Sequence, residues 1–352
     1  MRRIQEVSMS NAEQYFDRAD TLVEDIYKQV PVVKTKLVTR PVAQAQAAYE
    51  GKSLTFRSGS RSVPAVVSSE SEGLVALDFL TTLAADLSRG PVELPCFPNV
   101  VLKIRDALND PNTSVDETVK LVGTEPLLAG RLIRTANSMA FNPSGRKLTD
   151  LRTVITRLGQ QAVQGAAMSF AVQQMKDEPK LRDIASQLRE LWEESIVVAS
   201  ISQVLARRTK IKGDEAFLAG LLHGIGRLYV MAHSVGKSAV LRHELQSTDL
   251  IANWQPSIGK AVLENWKVDE IIADAVGEQD NYDRRQLRSA DLTDILVVSV
   301  ILARAMGKEL PAEAEMAKVS SFRSLALTRD ECALTMKHAE YQLASLQDAL
   351  GC

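Results

Sequence analysis

The stretch that most constrains the fold is LAGLLHGIGRLYV, residues 218–230. It is apolar almost throughout and predicts a buried helix. Yet it holds three glycines, Gly220, Gly224 and Gly226, around His223. A glycine inside a helix costs roughly 1 kcal/mol relative to alanine, so three of them need a reason. At helical spacing, Phe217, Leu218, Leu221, Leu222, Ile225, Leu228 and Tyr229 form a broad apolar face. His223 falls on another strip with Ala216, Ala219, Gly220, Gly226 and Arg227. Small residues in a row let a second backbone, or a bound group, come close. The segment therefore predicts either a tight helix crossing with a hydrogen-bonded core histidine or a pocket with His223 on its wall. Asp214 is the expected cap at its N-terminal end.

The rest of the chain supports an all-α fold. Leu74, Leu77, Leu80, Ala84 and Leu87 recur at helical spacing, and Gly90-Pro91 closes that helix. LPCFPNV gives a rigid turn before a helix in VVLKIRDALND. Ser114 with Glu117 forms a capping box. Pro126 opens LLAGRLIRTANSM, and Gly159 ends a helix whose face is Leu151, Val154, Ile155 and Leu158. Leu188, Leu191, Trp192, Ser195, Val198, Ala199, Ser202 and Leu205 mark a long buried helix. A second capping box, Thr328 with Glu331, opens a heptad seam through Cys332, Met336, Ala339, Leu343, Leu346 and Leu350. That seam predicts a helix packed on its own domain, with a homodimer through 329–350 as the alternative. Strand signals are nearly absent.

Composition bounds the function. The chain has 352 residues and a net charge of −2, which gives no global electrostatic footprint for nucleic acid or an anionic membrane. Three scattered cysteines, Cys96, Cys332 and Cys352, have no metal-ligand spacing and suggest a reducing compartment, the cytoplasm. The longest apolar run, 295–303, is about half of the ~20 residues a membrane helix needs. The N-terminus lacks the apolar core of a secretory signal. Residues 1–72 read as a helix followed by a polar Gly/Ser/Pro linker, 73–307 as the main helical domain and 308–352 as a helical extension.

Candidate chemistry is sparse. His233 and His243 follow His223 at intervals of ten, which puts them on no shared helix face. SVGKS at 234–238 lacks the first glycine and the strand of a phosphate loop. The two helices within 114–140 carry Arg131 and Arg134, but Leu127, Leu128, Leu132 and Ile133 dominate, which favours burial over DNA reading.

Three segments together carry a resemblance. LPCFPNVVLKIRDALNDPNTSVDETVKLVGTEPLLAGRLIRTANS, then LTDLRTVITRLG, then EAFLAGLLHGIGRLYV resemble the HDOD domain, a bacterial relative of the HD-type phosphohydrolases. The resemblance runs from about Leu94 to about Gly307. It implies a multi-helix HD-like bundle. Active HD enzymes carry a His-Asp pair where this chain has His223-Gly224. An upstream ligand histidine would fall near Glu194, a downstream pair near Glu278 and Gln279, and a final aspartate within ILVVSVILARAMG, which has no carboxylate. The resemblance thus implies the scaffold without the metal chemistry: no cofactor, no catalytic residue, and His223 and Glu194 as vestigial metal candidates. The expected function is non-enzymatic signal transduction through an unknown signalling protein, with Pro95, Pro98, Pro126, Asn137, Ser138 and His223 as candidate interaction residues. The alternatives are a divergent HD phosphohydrolase using His223, Glu194 and Asp214, and a DNA-binding regulator using 114–140.

Overall fold

Polar punctuation in the sequence sets where the helices begin. In the computed structural model, residues 69–350 are described, apart from 88, 90, 91, 93, 143, 144, 248, 249 and 285–288. The helix expected within 1–30 and most of the linker to 72 lie outside the described residues. The first described helix, α1 (Ser69–Leu87), starts a few residues before the expected boundary. Next come α2 (Asn99–Asn109), α3 (Val115–Gly123) and α4 (Pro126–Asn137). The Ser114 and Glu117 side chains each bond the other's backbone N–H, so the capping box at α3 is formed. Pro126 occupies the first turn of α4, where its missing N–H costs nothing.

Helix α5 (Leu151–Asp177) bends where the sequence predicts an end. Gly159 sits at φ +76°, ψ 172°, a conformation suited to glycine, and the helix resumes in a new direction. A 3-10 turn (Pro179–Ile184) leads into α6 (Ala185–Ala206). Then follow α7 (Gly213–Leu222), α8 (Ile225–Ser234), α9 (Ala239–Ser247), α10 (Leu250–Asn265) and α11 (Glu270–Gly277). The remaining elements are α12 (Leu292–Arg304), α13 (Glu313–Met316), α14 (Ser320–Ser324) and α15 (Arg329–Leu350). No strand occurs among the described residues, and the all-α expectation holds.

Helix α6 is the hub. It packs against α5, α7, α12 and α15, while α8 lies on α10 and α10 on α11. One apolar cluster runs from Ala76 on α1 to Ala339 on α15. A second gathers Trp192, Ile196, Ala199, Phe217, Leu221 and Leu346 between α6, α7 and α15. Of the heptad seam of α15, Cys332, Met336, Ala339 and Leu346 are buried within this chain. The capping box Thr328–Glu331 opens that helix as expected.

Two local expectations are corrected. Residues 218–230 do not form one helix; α7 ends at Leu222 and α8 begins at Ile225, with the break at His223-Gly224. Asp214 does not cap α7 either. Lys212 holds the cap position, and Asp214 lies within the first turn, where its charge still favours the helix dipole.

Candidate functional site

The three glycines of 218–230 face three different neighbours. A Cβ on Gly220 would lie 2.5 Å from the Ala199 Cα, so α6 and α7 cross backbone to backbone. A Cβ on Gly226 would lie 2.1 Å from the Gln255 carbonyl oxygen and 2.7 Å from the Gly259 nitrogen, so α8 and α10 do the same. At Gly224 the neighbour is a side chain, with Leu191 Cδ1 at 2.5 Å. The position next to His223 is thus filled by leucine. The sequence's first alternative, tight helix crossings, is what the glycines serve.

His223 is 2% exposed and lies at the join of α7 and α8. Its Nδ1 is 2.8 Å from the Gly220 carbonyl oxygen. That nitrogen must carry a proton to donate to the carbonyl. Burial pushes its pKa below the usual histidine value; Glu194 and the Gly220 bond pull the other way, and Arg304 and Arg227 push down again. Its backbone carbonyl accepts a hydrogen bond from Gln279 Nε2 at 3.0 Å, and the same amide nitrogen reaches Val276 O at 2.9 Å. Gln279 is a clasp between α11 and the α7–α8 break.

Glu194, Arg227 and Arg304 bear on the imidazole. Glu194 on α6 is 3.7 Å from Arg227 on α8. Asp280 is 4.0 Å from Arg304 at the end of α12. Burial pushes the Asp280 carboxyl up, with Arg304 and Tyr282 opposing. Burial also raises the Tyr282 phenol, and the Asp280 charge adds to that. Beside the break is an apolar cavity of about 30 Å³, lined by residues including Leu191, Trp192, Leu221 and Leu228. It has room for about one water and no substrate.

This donor set does not fit a catalytic metal. A divalent cation at an HD-type centre needs several neutral histidines and free carboxylates around a water. Here the residue after His223 is a glycine covered by Leu191, Glu194 faces an arginine, Gln279 is committed to a backbone carbonyl, and two guanidinium charges bear on His223. Among the described residues, no group of three or more His, Cys, Asp or Glu side chains could hold a metal ion.

The other candidate residues are scattered over the fold. Pro98 is the N-cap of α2, and the turn from Pro95 holds Cys96 at φ +62°. Phe97 packs on Trp266 with ring centroids 5.2 Å apart. Asn137 bonds the Ile133 and Leu148 carbonyls at 2.7 Å each and accepts from Leu148 N at 2.8 Å. Ser138 is buried and bonds the Thr135 carbonyl at 2.7 Å. These bonds are internal to the fold. Arg131, proposed for a groove-reading helix, is buried, bonded to Gln173 and placed over Phe170. Asp214 stands by Gly159 rather than by His223. Sequence reasoning missed Arg304, Asp280 and Tyr282. The one visible signal was a cation at the end of the apolar run where the HD pattern wants an aspartate.

Residues 94–282, more than half of the chain, match the family model described as the HDOD domain. A relative from Treponema pallidum (strain Nichols), named "Uncharacterized protein", is 22% identical over 248 residues, covering 66% of this chain and 46% of the relative. The chain thus spans about half the length of that curated relative. Among solved structures, a "Putative metal-dependent phosphohydrolase" from Shewanella amazonensis SB2B superposes with a TM-score of 0.62 at 20% identity, covering 79% of this chain and 99% of that one. A "Putative phosphohydrolase" from the same organism gives 0.50 at 20% identity, covering 78% and 98%. At such identities the likeness is one of fold.

Proposed function

The chain belongs to the HDOD domain family, and from that premise we propose that it is a non-catalytic regulatory protein in signal transduction. It acts by binding a partner protein with a rigid helical scaffold. The observation that carries this reading is the occupancy of the would-be metal-ligand positions. Leu191 fills the space at Gly224, Arg227 faces Glu194, and Gln279 clasps the His223 carbonyl. Each of these contacts uses a group, or a place, that hydrolytic metal chemistry requires. His223 then has a structural role: it closes α7 through the Gly220 carbonyl, one of the acceptors a helix end leaves open. Among the described residues no helix is long and apolar enough to cross a membrane.

The test is metal content of the full chain purified without a histidine tag, followed by a phosphodiesterase assay with added Mn²⁺ or Fe²⁺. The expected result is no stoichiometric metal and no turnover above buffer. One or more metals per chain, lost together with activity in His223→Ala, would overturn the reading and make this a hydrolase with an unusual ligand set.

A further inference from the structure

Several basic side chains near the surface stand beside a carboxylate. Arg152 is 2.7 Å from Asp116, and Arg329 is 3.0 Å from Glu309. In the basic run 207–212, Arg208 meets Glu331 at 2.5 Å and Lys212 meets Glu215 at 2.9 Å. The end of α4 and the loop after it differ. Arg134, in the last turn of α4, and Arg146 and Lys147, in the loop, are exposed and make no ion pair among the described residues.

Two asparagines gather these cations. Asn142 Nδ2 donates to the Arg146 carbonyl at 2.7 Å, while its Oδ1 accepts from the exposed Arg157 of α5 at 3.2 Å. The turn between Asn142 and Arg146 closes through the Gly145 amide on the Asn142 carbonyl at 3.0 Å, with Gly145 at φ +68°. Asn137, the last residue of α4, accepts from the Leu148 amide at 2.8 Å and donates to its carbonyl at 2.7 Å. That pins the backbone beside Lys147 to the helix turn that carries Arg134. The carboxylates of the adjoining helix starts are engaged: Asp150 accepts from the Thr153 amide at 2.8 Å, and Asp116 pairs with Arg152. Like charges within a Debye length, ~10 Å at 0.1 M salt, reinforce one another's potential, so this patch draws anions.

The neighbours favour a protein over a nucleic acid. Phe141, the one ring between Arg134 and Arg157 in sequence, packs edge-on against Phe217 with centroids 5.3 Å apart, so it offers no face for a base to stack on. Met139, in the turn that leaves α4, is 40% exposed and gives the apolar foothold on which a protein interface centres. We propose that Arg134, Arg146, Lys147 and Arg157 form a docking surface for an acidic segment of the partner protein, with its Asp and Glu side chains on the cations and an apolar side chain on Met139. This deepens the proposed function and rests on it, by saying which face of the scaffold meets the partner. Asn137 and Asn142 are positioning residues that hold the loop. Complementary charge of this kind acts mainly on the rate of encounter.

The test is fluorescence anisotropy of the full chain with a labelled peptide of Glu, Asp and Leu, and with the same peptide carrying Gln and Asn in place of the acids. Saturable binding of the acidic peptide is expected, weakened by added NaCl, with none of the neutral one. Arg146→Gln, Lys147→Gln and Arg157→Gln should each weaken binding about threefold, chiefly through a slower association rate. Lys147→Glu should weaken it more steeply. Arg207→Gln with Lys210→Gln, exposed cations of the run 207–212, should bind as the parent does. Melting curves check folding; Arg157 helps hold the loop, so Lys147, whose side chain has no bond among the described residues, gives the decisive variants. Absence of saturable binding in the parent overturns the proposal. So does unchanged affinity in Lys147→Glu, or an equal loss in the Arg207 and Lys210 double variant. A DNA duplex that binds more tightly than the peptide and weakens in the same variants would overturn it too, making the patch a nucleic-acid site. Any of these failures leaves the non-catalytic reading standing, since metal content and turnover decide that.

Discussion

Gly226 and Gly130 make opposite predictions from the same chemical change. In Gly226→Ala the new methyl must enter a space held by the Gln255 carbonyl and the Gly259 nitrogen, both backbone atoms of α10. Backbone cannot yield as a side chain end can, so overpacking should cost about 3 kcal/mol. Gly130 lies inside α4 with nothing within 4 Å of its would-be Cβ. Gly130→Ala should stabilise by roughly 0.5–1 kcal/mol through helix propensity and a less flexible unfolded chain. Urea titrations with a shared slope would measure both; a neutral Gly226→Ala would contradict the close crossing. His223 adds a pH dependence at the same scale. Its folded pKa lies below 6.5, so between that folded value and 6.5 the unfolded chain binds more protons than the native one. Stability from its burial is fully present above about pH 6.5 and is lost as pH falls. His233 shifts the same way for the same reason. Stability should therefore rise with pH from 5.5 to 7, and His223→Gln should flatten part of that slope. An unchanged slope in the variant would show that His223 is not held neutral.

At the scale of elements, connections depend on single polar side chains. Asn137 ties the end of α4 to Leu148, eleven residues on, with bonds in both directions. Asn142, itself buried, bonds the Arg146 carbonyl at 2.7 Å. Asn137→Ala should cost about 2 kcal/mol, since it leaves carbonyls and an amide without their partner. It should also speed hydrogen exchange at the Leu148 amide, while Ser114→Ala should cost about 1 kcal/mol and act on α3 alone. If Asn137 served mainly to contact a partner, its removal would leave that amide's exchange unchanged. The contrast also shows what the sequence makes legible. The Ser114–Glu117 and Thr328–Glu331 boxes are encoded within one helical turn and the sequence predicts them where they occur; at Gly159 it places the interruption but predicts an end where the helix bends and resumes. The break at His223-Gly224 is not local in that sense. Gly224 borders Leu191 from α6, and the His223 carbonyl is taken by Gln279 from beyond α11, so periodicity alone reads straight through it. The capping error at Asp214 has the same origin, because a capping residue type stood two places too late. Arg304 escaped notice because its neighbours are made by packing of α11 and α12, which no spacing reveals.

At the scale of the molecule, the described helices should unfold together. One apolar cluster joins α1 to α15 and holds Trp254, within α10, and Trp266, just after it, while Trp192 on α6 reports on the second cluster. Helix α15 is the sharpest test, since it follows the matched family segment in sequence yet supplies Leu346 to the cluster around Trp192. Leu346→Ala removes a fully buried side chain and should cost 2–4 kcal/mol, transfer and cavity terms combined. Were α15 an appendage that could come away alone, only the Trp192 environment would change. Because α15 also packs on α4 and α6, the loss should instead reach the whole bundle. In versions carrying one tryptophan each, the others replaced by phenylalanine, Leu346→Ala should lower the urea midpoint seen by Trp192, Trp254 and Trp266 by the same amount. A midpoint that moves for Trp192 while Trp266 stays in place would mean that the C-terminal helix is a separate unit laid on a complete domain. Equal shifts would make it part of the core that the HDOD scaffold of this chain needs in order to fold.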